Sequence, residues 1–373
     1  MRIALVHELL TMKGGAERVL RIAAGMFPDA PIYTLLYNEQ KLGDWFPCER
    51  VRTSSFPFPF SLLPSPFKHN HHLYLSRFPH AVEHWNFSDF DIVLSFSSAF
   101  VHGIITNGAP KHLCYVHSPA RYLWDRTHDV LKRANCGPLG PIRRLHLERV
   151  FHRLRTWDAE VAPRPDKLLA ASKEVQRRIK LYWRRESDVV YPPIDDFWFT
   201  PNFTPNPNPN PHPYFLIVST LVPYKRIGLA IEACNTRKLP LKIAGMGPDR
   251  IRLERLAGPT VTFLGYQSEE ELKDLYSNAT ATLFPGDEDF GLVPLESMAC
   301  GTPVIAYRSG GAAETIIGGK TGTFFEKSTA DSLQEILQKF DQKNYSKEEC
   351  RARAQEYCRT KFEQQISAAL DAL

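Results

Sequence analysis

The sequence predicts an α/β protein of two Rossmann-like domains, doubly wound sheets facing each other across a cleft. Three observations predict it. At 373 residues the chain is long for one core and fits two domains of ordinary size. Short apolar runs of strand length alternate with segments of helical spacing, the pattern of a sheet wrapped by helices. A strand, a glycine loop and a helix open the chain, as at the carboxyl ends of strands in doubly wound folds.

In order, Arg2 to Val6 reads as a strand leading through LLTMKGGAER to Val19, Leu20, Ala23, Ala24 and Phe27 at helical spacing. Gly14 and Gly15 allow close approach of a ligand, with a plain tight turn as the alternative. Ser55 to Tyr74 breaks the pattern with prolines and aromatics. Its His69, His71 and His72 lack matching Cys or carboxylate spacing, so a solvated or acceptor-facing loop is expected rather than a metal site. Asp91 to Phe96 and Lys111 to Val116 are strands, and the second ends in His117, where such sheets place ligands. The alternative is a histidine capping its own loop.

From Leu131 to Thr156, Lys132, Arg133, Arg143, Arg144, Arg149, Arg153 and Arg155 face only Glu148. With Leu145, Phe151 and Leu154 as an apolar face, this is a basic amphipathic helix, either solvated or lying on an anionic membrane. No nucleic-acid motif accompanies the charge. Lys167 to Ala171 is a strand, SKEVQRRIKLYW a helix, and the Asn/Pro-rich TPNFTPNPNPNPHP an exposed connection. The expected boundaries are a first domain over 1–192, a linker over 193–214 and a second domain over 215–350.

The second domain opens with the strand Phe215 to Ser219. LKIAGMG and VTFLG are strands ending in glycine turns, and GMGP is not the dinucleotide fingerprint. Ser268 and Glu271 form a capping box, and Ser346 with Glu349 looks like another. The strand Ala279 to Phe284 then leads to GDEDFGLVPLE. Here a helix starts near Gly291 with Pro294 in its first turn, and Gly301 and Pro303 stop it. Glu288 lies in the loop and Glu296 a turn inside the helix. Backbone N–H groups and carboxylates so placed suit a nucleotide diphosphate sugar. A surface loop with solvated acids is the alternative.

The run EDFGLVPLESMACGTPVIA resembles the Glu, seven residues, Glu signature of family 4 retaining glycosyltransferases, which implies a GT-B type fold. By that resemblance Glu288 contacts the donor sugar and Glu296 the nucleotide ribose, with Phe290, Gly291, Leu292 and Val293 between them on the donor. VSTLVPYKR resembles the family's phosphate-binding loop, and Lys225 matches its lysine. The arginine expected there is replaced by Thr220, which either leaves the phosphate charge less well balanced or shifts part of the task to Arg226. GGAER resembles the first loop, so Gly14 and Gly15 face donor phosphates and acceptor. CYVHSPARYLWD resembles a segment of bacterial members that transfer mannose or related sugars, which makes His117 a donor-sugar or acceptor contact, and Arg121 with Asp125 either contacts or a structural pair. RSGGAAE, with Glu314, also matches the family pattern, and residues 351–373 are expected to cross back to the first domain.

The implied reaction moves a sugar, with retention, from a nucleotide diphosphate sugar such as GDP-mannose to a glycan or lipid-linked acceptor. The departing phosphate oxygen takes the acceptor proton, so no cofactor and no metal are expected, although Asp287-Glu288-Asp289 looks like the acidic triplet of metal-dependent transferases. Glu288 and Glu296 are expected to serve ligand rather than core. A nucleotide-sugar epimerase, or a catalytically weak binding protein favoured by Thr220, are the alternatives.

Composition sets the remaining bounds. Hydrophobic residues at 43% and charged residues at 23% describe a soluble globular chain. Apolar runs are short and interrupted, so no transmembrane helix is expected, and MRIALVHELL has no signal-peptide cleavage site. The expected address is the cytoplasm, peripheral on the membrane's inner face if the basic helix docks there. Seven cysteines without a CxxC pair read as reduced thiols. A net charge of +5 is informative only where it clusters.

Overall fold

The computed structural model describes residues 1–54, 74–108, 110–200 and 213–373. His69, His71 and His72, and the Asn/Pro-rich tract 201–212, lie outside the described residues. The chain divides into a unit of Met1–Tyr191 with Glu363–Leu373 and a second unit of Pro192–Phe362.

In the first unit β1 (Ile3–Leu10), β2 (Ile32–Tyr37), β3 (Val51–Thr53), β4 (Ile92–Ser97), β5 (Lys111–Val116), β6 (Lys167–Ala170) and β7 (Asp188–Val189) form one parallel sheet, ordered β3-β2-β1-β4-β5-β6-β7. Strands covered on both faces are near-continuous apolar runs, and every residue of β4 is buried, Ser95 and Ser97 among them. The helices that matter below are α1 (Gly15–Met26), α2 (Thr127–Ala134), α3 (Gly140–Val161) and α4 (Lys173–Trp183). β1 runs four residues past the expected Val6, because Leu9 and Leu10 pair with Leu36 and Tyr37 of β2. The expected ten-residue loop therefore shrinks to Thr11–Gly14.

The second unit repeats the plan. β8 (Phe215–Val218), β9 (Leu241–Ala244), β10 (Val261–Gly265), β11 (Ala281–Phe284), β12 (Val304–Tyr307) and β13 (Gly322–Phe325) are parallel in the order β10-β9-β8-β11-β12-β13. Its helices include α5 (Ile227–Arg237), α6 (Glu269–Ser277), α7 (Val293–Ala299) and α8 (Lys347–Gln355). Ser268 and Glu271 form the full reciprocal capping box on α6. At α8, Ser346 accepts from the Glu348 and Glu349 N–H groups, and its hydroxyl turns to Glu348 instead of being answered by Glu349.

Two expectations need correction. The expected linker includes residues 193–200, yet Ile194 donates its N–H to the Tyr357 carbonyl at 2.9 Å and Trp198 packs edge-on to Tyr276. The buried Lys273 ammonium fixes this segment by donating to the Phe197 carbonyl at 2.7 Å and Thr200 Oγ1 at 2.6 Å. Leu145 is expected on the buried face of the basic helix. It is exposed, while Phe151 and Leu154 are in the core.

Candidate functional site

In each sheet the strand order reverses direction once, between β1 and β4 and between β8 and β11. The crevice outside the strand ends at such a reversal is where open α/β sheets hold ligands. In the second unit the loops after β8 and β11 meet there, and Lys225 Nζ lies 2.5 Å from Glu288 Oε1, both side chains largely shielded. Lys225 ends the short turn Pro223–Lys225, and Glu288 sits midway along the loop after β11.

Glycines explain why these loops converge. A side chain at Gly286 would crowd the Lys225 backbone, and one at Gly311 would overlap Phe290. Gly310, at φ +51, backs directly on the Glu288 carbonyl, which accepts from the Gly311 N–H at 3.0 Å. Ser309 Oγ adds a 2.6 Å bond to Asp287. The RSGG segment is thus a buttress for the Glu288 loop. One layer further out, Arg353 holds the Glu314 and Thr315 carbonyls from α8, so the Glu314 position is pinned through its backbone. Gly245 and Gly247 lie against the Ser219 and Leu221 backbones, so GMG supports the VSTLVPYKR segment by close packing.

The other second-unit residues fall as follows. α7 starts at Val293 with Pro294 in its first turn, and Gly291, at φ +82, makes the bend before it. Leu292 and Val293 are half-buried at this helix start. The Phe290 ring is buried against Tyr357, so this position offers a ligand its backbone alone. Thr220 is exposed. Arg226, in the left-handed region at φ 54, directs its guanidinium to Ser328 and over the Tyr307 ring rather than to Glu288.

Glu296 corrects an expectation. It is 5% exposed and its carboxylate accepts from the hydroxyl of the fully buried Tyr276 at 3.0 Å, so it serves the core as well as any ligand. Glu296→Ala is expected to lower the unfolding free energy by about 1–3 kcal/mol, because a buried hydroxyl loses its acceptor. Adding Tyr276→Phe should recover part of that loss. Urea unfolding of the single and double variants measures both.

In the first unit Gly14 caps α1, and the Glu17 carboxylate folds back over it while lying 3.7 Å from His7 Nε2. His117 follows β5 with its N–H on the Ser97 carbonyl and its ring edge-on to His7 at 6.2 Å. Arg121 and Asp125 form a structural pair, 3.1 Å apart, shared with Arg178 of α4 at 3.4 Å.

Sequence reading misses two buried acids here. Glu8, near the end of β1, accepts from the N–H groups of Ser98 at 2.8 Å, Ala99 at 2.5 Å and Phe100 at 2.6 Å, which clamps the turn after β4. Asp158 of α3 accepts from Trp124 Nε1 at 2.9 Å and Trp183 Nε1 at 2.7 Å, with His102 Nε2 3.4 Å from its other oxygen. A single acid, next to His7, inside a run otherwise apolar is the available signal for Glu8. Asp158 has none, since its partners are distant in sequence.

Burial pushes Asp158 up to about 7 and holds His102, His112 and His117 down at about 3, with His7 adding to the effect on His117. Below pH 6.5, the ordinary histidine value, each of the three histidines takes up a proton on unfolding. Asp158, ordinarily at 3.8, gives one up. The net uptake is about two protons, so stability falls as pH drops from about 6.5 towards 4. Urea midpoints at several pH values across this window should decrease with acid, and a rising midpoint would contradict the burial argument.

Comparison with known proteins bears on the whole. The profile of the family described as glycosyl transferases group 1 matches residues 199–359. An uncharacterized glycosyltransferase of Methanocaldococcus jannaschii is 27% identical over 177 residues, 46% of this chain and 48% of its own. A Mycolicibacterium smegmatis protein named GDP-mannose-dependent alpha-(1-6)-phosphatidylinositol monomannoside mannosyltransferase is 36% identical over 134 residues, 31% of this chain and 35% of its own. The chain thus spans less than half the length of these curated relatives. Among solved structures, Anabaena Alr3699/HepE in complex with UDP superposes with a TM-score of 0.70 at 16% identity over 100% of both chains. Sucrose-phosphate synthase from Thermosynechococcus elongatus gives 0.70 at 17% over 99% of this chain and 98% of its own. These two likenesses establish the fold, the GT-B type with two Rossmann-like domains. Residues 199–359, which hold the Lys225–Glu288 pair, are the part of the chain that matches the glycosyl transferases group 1 family.

Proposed function

We propose that this chain is a family 4 retaining glycosyltransferase that moves a sugar, mannose from GDP-mannose in our reading, to a glycan or lipid-linked acceptor. The observation that carries the proposal is the Lys225–Glu288 pair at the reversal of the second sheet. It sets a cation beside a carboxylate on loops fixed by backbone packing, as a charged leaving group and a sugar require of a preorganised site. On donor binding the pair opens. Lys225 turns to the diphosphate and Glu288 accepts from sugar hydroxyls.

The bond from the anomeric carbon to the phosphate oxygen then breaks while the acceptor oxygen bonds on the same face. The acceptor proton passes to the released phosphate oxygen, so no protein nucleophile enters. Glu296 is assigned to the ribose, His117 to the donor sugar or acceptor, and Gly14 with Gly15 to the donor phosphates. Mannose rests on the mycobacterial relative's printed name and on the CYVHSPARYLWD segment. Both relatives named above are described as transferases, which gives the epimerase reading no support.

We propose further that the reaction needs no metal, since Asp287 is bonded to Ser309 and Glu288 to Lys225. EDTA should leave transfer unchanged, and loss restored by manganese or magnesium would overturn this. For the donor, thermal stabilisation by GDP-mannose should exceed that by UDP-glucose or UDP-N-acetylglucosamine. Stabilisation by none of them would count against a nucleotide-sugar site, and product formed without acceptor would favour an epimerase.

A further inference from the structure

Helix α3 carries apolar residues on two opposite faces. Leu147, Val150, Phe151, Leu154 and Trp157 pack into the core of the first unit. In the first turns the pattern inverts: Ile142 and Leu145 are 69% and 48% exposed, and Leu139, just before the helix, is 72% exposed. At 3.6 residues per turn Ile142 and Leu145 lie opposite Phe151 and Leu154, so this stripe cannot reach the core. Arg149 and Arg153 continue it towards the carboxyl end.

The corner that presents these residues is held from within. Arg143 donates to the Ala134 carbonyl at 2.8 Å and the Cys136 carbonyl at 2.7 Å, tying the end of α2 to the start of α3. Arg144 is engaged by Glu148 at 2.8 Å, the one acid between residues 131 and 156. Lys132, Arg149 and Arg153 are exposed and have no ion pair among the described residues. The surface therefore combines three large apolar side chains with a surplus of positive charge.

We propose that this corner docks on an anionic phospholipid surface. Leu139, Ile142 and Leu145 enter the boundary between headgroups and acyl chains, while Lys132, Arg149 and Arg153 face lipid phosphates. A nucleic acid satisfies the cations but leaves the apolar stripe in water, whereas a bilayer interface accommodates both. This surface lies in the first unit and is read without any transfer assay, so its fate is separate from that of the donor site.

The test is flotation of the full chain with phosphatidylcholine vesicles, with and without phosphatidylglycerol. Partitioning to the anionic vesicles should be at least about tenfold stronger, since each nearby cation contributes roughly fivefold, and should weaken with salt. Ile142→Ser with Leu145→Ser should lose about tenfold or more with every charge retained. Arg149→Glu with Arg153→Glu should lose at least as much. If the serine pair fails to fold, Ile142→Trp replaces it, and the emission of the introduced indole should shift to the blue on anionic vesicles. Equal partitioning to both vesicle types, unchanged binding by the serine pair, or an unshifted emission from the Ile142→Trp variant would each overturn the proposal. So would displacement from vesicles by single-stranded DNA, which would mark the patch as a general polyanion site.

Discussion

Lys225→Ala is expected to lower kcat/KM for transfer on the order of a hundredfold with the fold retained. The departing nucleoside diphosphate gains charge in the transition state, and the protein offsets it with fixed cations and N–H groups. Removing one such preorganised donor typically costs about 10² to 10³ in rate. The largely shielded Glu288 carboxylate loses its cation, so the urea midpoint should fall modestly with the fold retained. Thr220, exposed and neutral, offers a contact of about 0.5–1.5 kcal/mol against about 1.5–3 for a charged one. Thr220→Ala should therefore cost less than about tenfold. Thr220→Arg should preserve or raise transfer, because it supplies the cation that Arg226, engaged by Ser328 and Tyr307, does not direct to Glu288. Equal damage from Thr220→Ala and Lys225→Ala would show that a charge argument is the wrong one.

The largest effect on stability should come from Asp158→Ala, about 3 kcal/mol or more. Two indole N–H groups, from Trp124 and Trp183, lose their shared acceptor inside the first unit. Each buried donor left unpaired costs about 1–3 kcal/mol, and the removed carboxyl leaves a void besides. Asp158→Asn keeps an amide oxygen for the indoles and should cost clearly less. Asp158→Asn should also steepen the loss of stability in acid, because the one group opposing the three histidines is gone. Urea unfolding at neutral and acid pH reads both effects, and equal costs for the two substitutions would mean that the indole bonds contribute little.

The sheet-and-helix plan is legible because parallel strands covered on both faces are near-continuous apolar runs. Lys111–Val116 matches its expected bounds, its run being apolar from Leu113 onward. β2, β3 and β13 escape a reading of sequence. Val51–Thr53 is short and largely exposed and GTFF begins with a glycine, whereas IYTLLY, bounded by Pro31 and Asn38, carries a strand signal that the reading passes over. Glycine loops are legible as punctuation, and the structure adds a packing role for four of these glycines. Gly310, Gly311, Gly245 and Gly247 press backbone on backbone to aim other residues.

Glu288 and Lys225 stand out by motif, and the fold brings them together at 2.5 Å, which no spacing in sequence forces. Burial is the least legible property. The motif makes Glu296 a ligand contact, while its bond to Tyr276 spans twenty residues of sequence. Leu145 reads as inward because Phe151 and Leu154 do point inward. Only the opposite placement of Ile142 and Leu145 reveals a second apolar face.

The central claim, that Lys225 and Glu288 divide diphosphate and sugar between them, is tested most directly by titrating GDP-mannose and GDP into wild type, Lys225→Ala and Glu288→Ala. Lys225→Ala should weaken both ligands about tenfold or more, as expected for a charge-assisted contact. Glu288→Ala should weaken GDP-mannose but bind GDP as well as wild type or better, since the lysine is released from its carboxylate. Wild-type affinity of Lys225→Ala for both ligands, or equal weakening of GDP and GDP-mannose by Glu288→Ala, would contradict the account.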